Sequence, residues 1–185
     1  MEIPLRFINV FGQIKPMEII LALDSYDDIF DDFDMQEYIE RAISADFINI
    51  LNNRIRKISP KEKINITLTL PKEKRESKNE EIIAKRLNSH FVNMATYWKD
   101  KEKEIDGFAS KLVLLGAIFF VAGQIAIRQF APFFDEYLVI PAWMLSFYGL
   151  DKFVNEKPKA SSKKQFYKRI SQAKMAFQDK DAYSR

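Results

Sequence analysis

The densest run of groups able to do chemistry is Asp24–Asp34, DSYDDIFDDFD, with six aspartates in eleven residues and aromatic side chains between them. Hard divalent cations take oxygen ligands, so this run is where a Mg²⁺, Mn²⁺ or Ca²⁺ site, and a metal-dependent enzyme using the Asp24–Asp34 cluster, would be sought. Its spacing fits no pattern that fixes such a site. A calcium loop needs a central glycine and a closing glutamate, and neither is present. An aspartyl nucleophile pair needs Asp-x-Asp directly after a strand, whereas this chain has Asp24, Ser25, Tyr26 and Asp27. The residues favour a solvated acidic turn leading to a helix N-terminus, where the helix dipole favours negative charge. His90, the one histidine, falls at the edge of an apolar helix face between Leu87 and Met94, a position typical of a core or interface histidine. The absence of cysteine removes disulfides, thiolate zinc sites, iron–sulfur clusters and cysteine nucleophiles. The five glycines form no phosphate loop, and no serine has a nucleophile motif around it. No catalytic, metal or cofactor-binding residue is therefore assigned, and the chain reads as non-enzymatic.

The elements that carry these residues follow from charge and hydropathy. The 185 residues are 47% apolar and 30% charged, a globular composition, with a net charge of +3. That small number hides an acidic head, an apolar middle and a basic tail: residues 1–60 carry eleven acids against six bases, and residues 151–185 carry ten bases against four acids. MEIILALD (17–24) and INITLTL (64–70) read as strands, and PLRFINVF (4–11) as a third. Between them a helix is expected over about 35–57, striped by Ile39, Ile43, Phe47, Ile50, Leu51 and Ile58, capped by Asp34 with Glu37, and supported by a Glu37–Arg41 pair. A long helix starts near Ser77, capped with Glu80, and runs past Ile83, Leu87, Phe91, Met94 and Trp98 toward a bend at Gly107. The predicted fold is α/β: a small two- or three-stranded βαβα cytoplasmic domain (1–104), a transmembrane helical hairpin (105–154) and a basic tail (155–185) with a C-terminal amphipathic helix over about 161–179.

The hairpin is read from LVLLGAIFFVAGQIAI (112–127) and YLVIPAWMLSFYGL (137–150). Sixteen residues reach about 24 Å, short of a ~30 Å hydrocarbon core, so Phe108–Ser110 and Phe130 must extend the first span. Gly116, Ala122, Gly123 and Ala126 are small residues that let helices approach, and Gln124 needs a hydrogen-bond partner, in the hairpin or in a ring of copies. Lysines flank the outer ends of both runs, while the connection holds only Arg128, so the positive-inside rule puts both termini in the cytoplasm. In the tail, Lys163, Lys164, Lys168, Arg169 and Lys174 suit anionic lipid headgroups, or packing on the acidic segment. No nucleic-acid recognition motif accompanies these bases, so membrane lipids are the expected partner. Asp27, Asp28, Asp31, Asp32, Asp34 and Arg41 form the expected surface for a cytoplasmic protein partner.

The run ALDSYDDIFDDFDMQEYIERAISADFINIL (22–51), the later LTLP (68–71) and the two apolar runs resemble an uncharacterised group of small bacterial two-span membrane proteins with an N-terminal cytoplasmic domain. The resemblance implies the bacterial inner membrane and no established activity. The layout is also similar to membrane effectors of bacterial antiphage defence, which oligomerise and perturb the membrane. The leading expectation is an integral membrane protein acting through homo-oligomerisation or partner recruitment, and the alternative is a membrane-disrupting or channel-like effector.

Overall fold

The computed structural model describes residues 16–129 and 135–180, with side chains outside 126–138. The candidate strand over 4–11 and the connection at 130–134 lie outside the described residues. Three strands form one sheet in the order β1 (Met17–Ala22), β2 (Ile64–Leu70), β3 (Lys174–Asp179), and both pairings are parallel. Parallel neighbours need crossover connections. The first carries α1 (Ala45–Ile55). The second carries α2 (Ser77–Gln129), α3 (Asp135–Asp151), a π-helical turn (Lys152–Glu156) and α4 (Lys157–Ser171). Among the described residues the chain divides into two compact units, one holding the residues up to Asn93 with those from Phe166 on, the other Met94–Gln165.

The α/β unit sorts its side chains by the two-residue period of its strands. Across the sheet, Ile19 pairs with Ile66 and Met175, and Leu21 with Leu68 and Phe177. This row is buried along β1 and β2, as are Phe47, Leu51 and Ile55 of α1, Ile83, Leu87 and Phe91 of α2, and Ile170 of α4. The opposite row runs Glu18–Asn65–Lys174, Ile20–Thr67–Ala176 and Ala22–Thr69–Gln178. Apart from Ile20 it is polar or small, and Thr67 answers its burial by donating to Glu18 Oε1 at 2.7 Å. Successive right-handed crossovers in one direction put their helices on one face of a sheet. The split into an apolar and a polar row is what that arrangement requires.

Three expectations need correction. The tail does not form one amphipathic helix over 161–179: α4 ends at Ser171, and residues 174–179 are the third strand. Phe166, Ile170, Ala173 and Phe177 read as one helical stripe, yet Met175 and Phe177 also alternate at period two, and pairing with β2 decides for the strand. The helix over 35–57 is confined to Ala45–Ile55. Asp34, expected as its cap, instead accepts from the amides of Gln36 (3.1 Å) and Ala42 (2.7 Å), and an isolated Phe30–Ile43 bridge holds the segment as a loop. Ser44 is the cap, its hydroxyl accepting from Asp46 N. Arg41 reaches Asp27 rather than Glu37. Finally, α2 begins at Ser77 itself, Glu80 is held by Arg75, and the helix runs unbroken through Gly107.

In the second unit the C-terminal half of α2 packs antiparallel to the α3–α4 run. Gly116 lies against Ala142 and Ser146, Gly149 against Ala109 and Val113, Asp106 pairs with Lys157 (2.8 Å) and Glu102 with Lys164. The helix α2 is long and apolar enough to cross a membrane.

Leu68, fully buried on the central strand, gives a direct test of this core. Leu68→Ala is expected to cost about 2–5 kcal/mol, read from the denaturant midpoint of the detergent-solubilised chain.

Candidate functional site

Parallel strands share a direction, so the loops after β1, β2 and β3 gather at one end of the sheet. There the acidic segment folds into a scaffolded loop. Asp28 accepts from the amides of Asp24 (2.6 Å) and Ser25 (3.2 Å), Asp31 from Phe33 N (2.9 Å), and Asp34 from Gln36 and Ala42. Asp27 pairs with Arg41 at 2.5 Å. Tyr38 stacks on Phe30 at 5.3 Å, Arg41 lies over the same Phe30 ring, and Tyr26 meets both Tyr38 and Phe177 edge-on. From α2, Arg86 donates to the carbonyls of Glu40 and Arg41, each at 3.0 Å. An open pocket of about 590 Å³ remains beside the loop, lined in part by Glu37, Tyr38, Arg41 and Asn79.

A second set of contacts ties the strand ends together. Arg75 holds Glu80 through two N–H groups (2.7 and 3.0 Å) and reaches Asp179 at the end of β3 (2.6 Å). Tyr26 accepts from Glu76 N (2.9 Å) and donates to Glu80. Lys180 pairs with Asp24 at 3.0 Å, and Lys74 donates to the Asp24 carbonyl. These contacts set the electrostatics. The Lys180 ammonium holds the Asp24 carboxyl below its ordinary value, and the Ala42 and Gln36 amides do the same for Asp34. Glu80 and Asp179 hold the Arg75 guanidinium more firmly charged. Burial pushes the Tyr26 phenol up. Burial, with Arg86 beside it, pushes the His90 imidazole down where it packs on Phe91 and Tyr167.

The aspartates therefore act as turn scaffolding. Among the described residues no group of three metal-ligating side chains gathers. The loop holds two large apolar side chains almost wholly outward: Phe33 is 98% exposed and Met35 91%. Asp32, Glu37 and Glu40 are exposed in the same segment, with no ion-pair partner among the described residues. The sequence hid this prong, because a helix drawn through 35–57 absorbs Met35 and leaves Phe33 as a pre-cap residue. The alternation of Phe33 and Met35 with Asp32, Asp34 and Gln36 was the signal available.

The other expected residues separate. Gly116 and Gly123 are buried, whereas Ala122 and Gln124 are exposed. The Ala126 side chain lies outside the described residues. A Cβ on Gly116 would stand 2.8 Å from Ala142 O, and one on Gly149 2.9 Å from Ala109 O. The seam is thus built on Gly149 as well, a residue the sequence reading passed over. The Gln124 side chain makes no hydrogen bond among the described residues. Of the tail bases, Lys163 lies over Trp98 (4.3 Å), Lys164 pairs with Glu102, and Arg169 donates to the carbonyls of Ile58, Ser59 and Glu62. Lys168 and Lys174 are exposed, on α4 and β3. No protein-family model, no curated protein and no solved structure matches the chain.

Replacing Gly116 or Gly149 by leucine drives a side chain into a facing carbonyl, so each variant is expected to part the helices and lower the thermal midpoint in detergent. Gly107→Ala, where a Cβ meets nothing within 4 Å, is expected to be stabilising by about 0.5–1 kcal/mol through helix propensity.

The loop also carries a pH signature. Asp34 has a folded pKa below its unfolded one, so its contribution is present at neutral pH and is lost as pH falls through the folded value. Asp34→Ala is expected to lower the thermal midpoint at pH 7. The gap from wild type is expected to narrow below the ordinary carboxylate range, near pH ~4.

Proposed function

We propose that this chain is a two-crossing membrane protein of the bacterial inner membrane, with both termini cytoplasmic, that acts without catalysis through oligomerisation or recruitment of a cytoplasmic partner. The observation carrying this reading is the pairing of β3 with β2. Among the described residues the one candidate crossing helix is α2, which lies between them in the chain. Neighbouring strands of one sheet occupy one side of a membrane. A single crossing by α2 would leave β3 on the other side, so a returning crossing is needed, and α3 is the helix available to make it. Its 17 residues reach about 26 Å, and Phe153 and Val154 continue the apolar run.

The surfaces agree with lipid as solvent. Leu114, Ile118 and Val121 on α2, and Ile140, Trp143, Met144 and Phe147 on α3, are exposed. A water-facing helix carries polar groups on its outer side. The lysines at 99, 101, 103 and 111, and at 152, 157 and 159, lie at the outer ends of the two apolar runs, which makes that side the cytoplasm. An exposed Gln124 amide in hydrocarbon is a cost that a neighbouring copy removes, which favours assembly of several copies. The exposed Lys168 and Lys174 are the bases of the tail best placed for anionic headgroups.

The cysteine-free sequence makes topology directly measurable. Single-cysteine variants at Asn53, Gln129 and Ser162 are expressed in bacteria, and spheroplasts are treated with a membrane-impermeant maleimide. Only the Gln129→Cys chain is expected to label, and all three are expected to stay in the pellet after alkaline carbonate extraction. A folded monomer in the detergent-free supernatant, or labelling of Asn53→Cys and Ser162→Cys on opposite sides, overturns the reading.

A further inference from the structure

The end of the sheet opposite the acidic loop carries the opposite charge. Where β1, β2 and β3 begin, a cleft of about 730 Å³ opens, lined by Pro16, Pro60, Lys61, Lys63, Arg169 and Lys174 among others. Pro16, Pro60 and Ile64 are its apolar lining, beside Asn65 and Gln172, and four of its lining residues are basic. Lys61, Lys63 and Lys174 are exposed and have no carboxylate partner among the described residues. Arg169 gives its N–H groups to three neutral carbonyls, so its charge is not neutralised by them. Among the described residues Glu62 is the only acid lining the cleft.

We propose that the α/β units of successive copies join head to tail, with Phe33 and Met35 of one copy seated in the basic cleft of the next. This rests on the oligomerisation reading above and names its contact. Three observations converge on it. The prong is almost wholly exposed, and solvent-facing Phe and Met side by side on a loop are the composition of an interface core. Asp32, Glu37 and Glu40, exposed in the prong's own segment, are complementary in charge to Lys61, Lys63 and Lys174 of the cleft, and none of the six has an ion-pair partner among the described residues. The two features sit at opposite ends of the same parallel strands, about 23 Å of β2 apart, so one copy cannot satisfy itself. A contact between two different patches is heterologous and propagates into a ring or a row rather than stopping at a dimer. One aromatic prong buries only about 150–250 Å², so the contact is weak in dilute solution and depends on copies already held together, as they are in a membrane. Its ionic part is screened by salt.

The experiment places cysteines at Met35 and Lys61 of the full-length chain, singly and together, in detergent micelles and in native membranes under mild oxidation. The double variant is expected to give a ladder of covalent multimers at low salt that weakens at high salt. Adding Phe33→Asp, or Lys63→Glu with Lys174→Glu, is expected to abolish the ladder. Mixing Met35→Cys chains with Lys61→Cys chains is expected to give heterodimers and nothing larger. Absence of a ladder overturns the proposal, and dimers from Met35→Cys alone show a symmetric contact and overturn it as well. Protection of Lys61→Cys from a maleimide by vesicles containing anionic lipid, without any ladder, assigns the cleft to headgroups and also overturns it. Carbonate extraction of the same samples reports membrane insertion separately, so failure of the contact and failure of the membrane reading are distinguishable.

Discussion

The structure depends on one pairing, that of β3 with β2. The central strand has Leu68 fully buried, and both of its edges are occupied only when the end of the chain returns to it. About a hundred residues intervene, and closing a loop of that length carries an entropic cost that grows only slowly with length. The cost is met locally, by the hydrophobic row through Met175 and Phe177 and by the charged contacts around Arg75. Arg75 is central to this because it lies just after β2, just before α2, and reaches the end of β3. A single side chain thus links the start and the finish of the long excursion. A carboxylate pair held by one planar guanidinium fixes geometry as well as charge.

The excursion itself obeys different rules from the sheet. Its helices meet at glycines set against carbonyl oxygens, Gly116 on Ala142 and Gly149 on Ala109, which brings the backbones close without large side chains between them. That is how helices associate where apolar side chains gain nothing by leaving a solvent that is itself apolar. Toward its open end the same helix pair changes character, and charged contacts, Asp106 with Lys157 and Glu102 with Lys164, take over. The transition from glycine packing to ion pairs marks where a hydrocarbon environment would give way to water.

Much of this was legible in the residues. The strands β1 and β2 announce themselves as apolar runs ended by Asp24 and Pro71, and the stripe Ile83–Leu87–Phe91 fixes the first turns of α2. The acidic loop and β3 were not legible, for two distinct reasons. A carboxylate that captures backbone amides, as Asp34 does, competes with a helix using the same short polar residues that cap one, so the segment before Ser44 reads as helix. The run Lys174–Asp179 fits both the helical and the strand period over six residues, and only the distant vacancy beside β2 decides between them. Gly116 and Gly123 were legible as a contact face because they are spaced a heptad apart. Gly149, which packs on Ala109 and Val113, was not, because the second apolar run offers no period by which one face can be told from another.

The π-helical turn at Lys152–Glu156 has a consequence for the seam. Pro158 lacks an N–H, and in a regular helix its ring would clash with the carbonyl four residues before it. The wider turn just ahead of it adds one residue, and each residue advances a helix by roughly 100°. Upstream of the turn the run sets Ala142, Ser146 and Gly149 against α2, and downstream it sets Lys157 and Lys164 against the acids of α2. One continuous helical run therefore offers its neighbour small residues along one stretch and cations along the next.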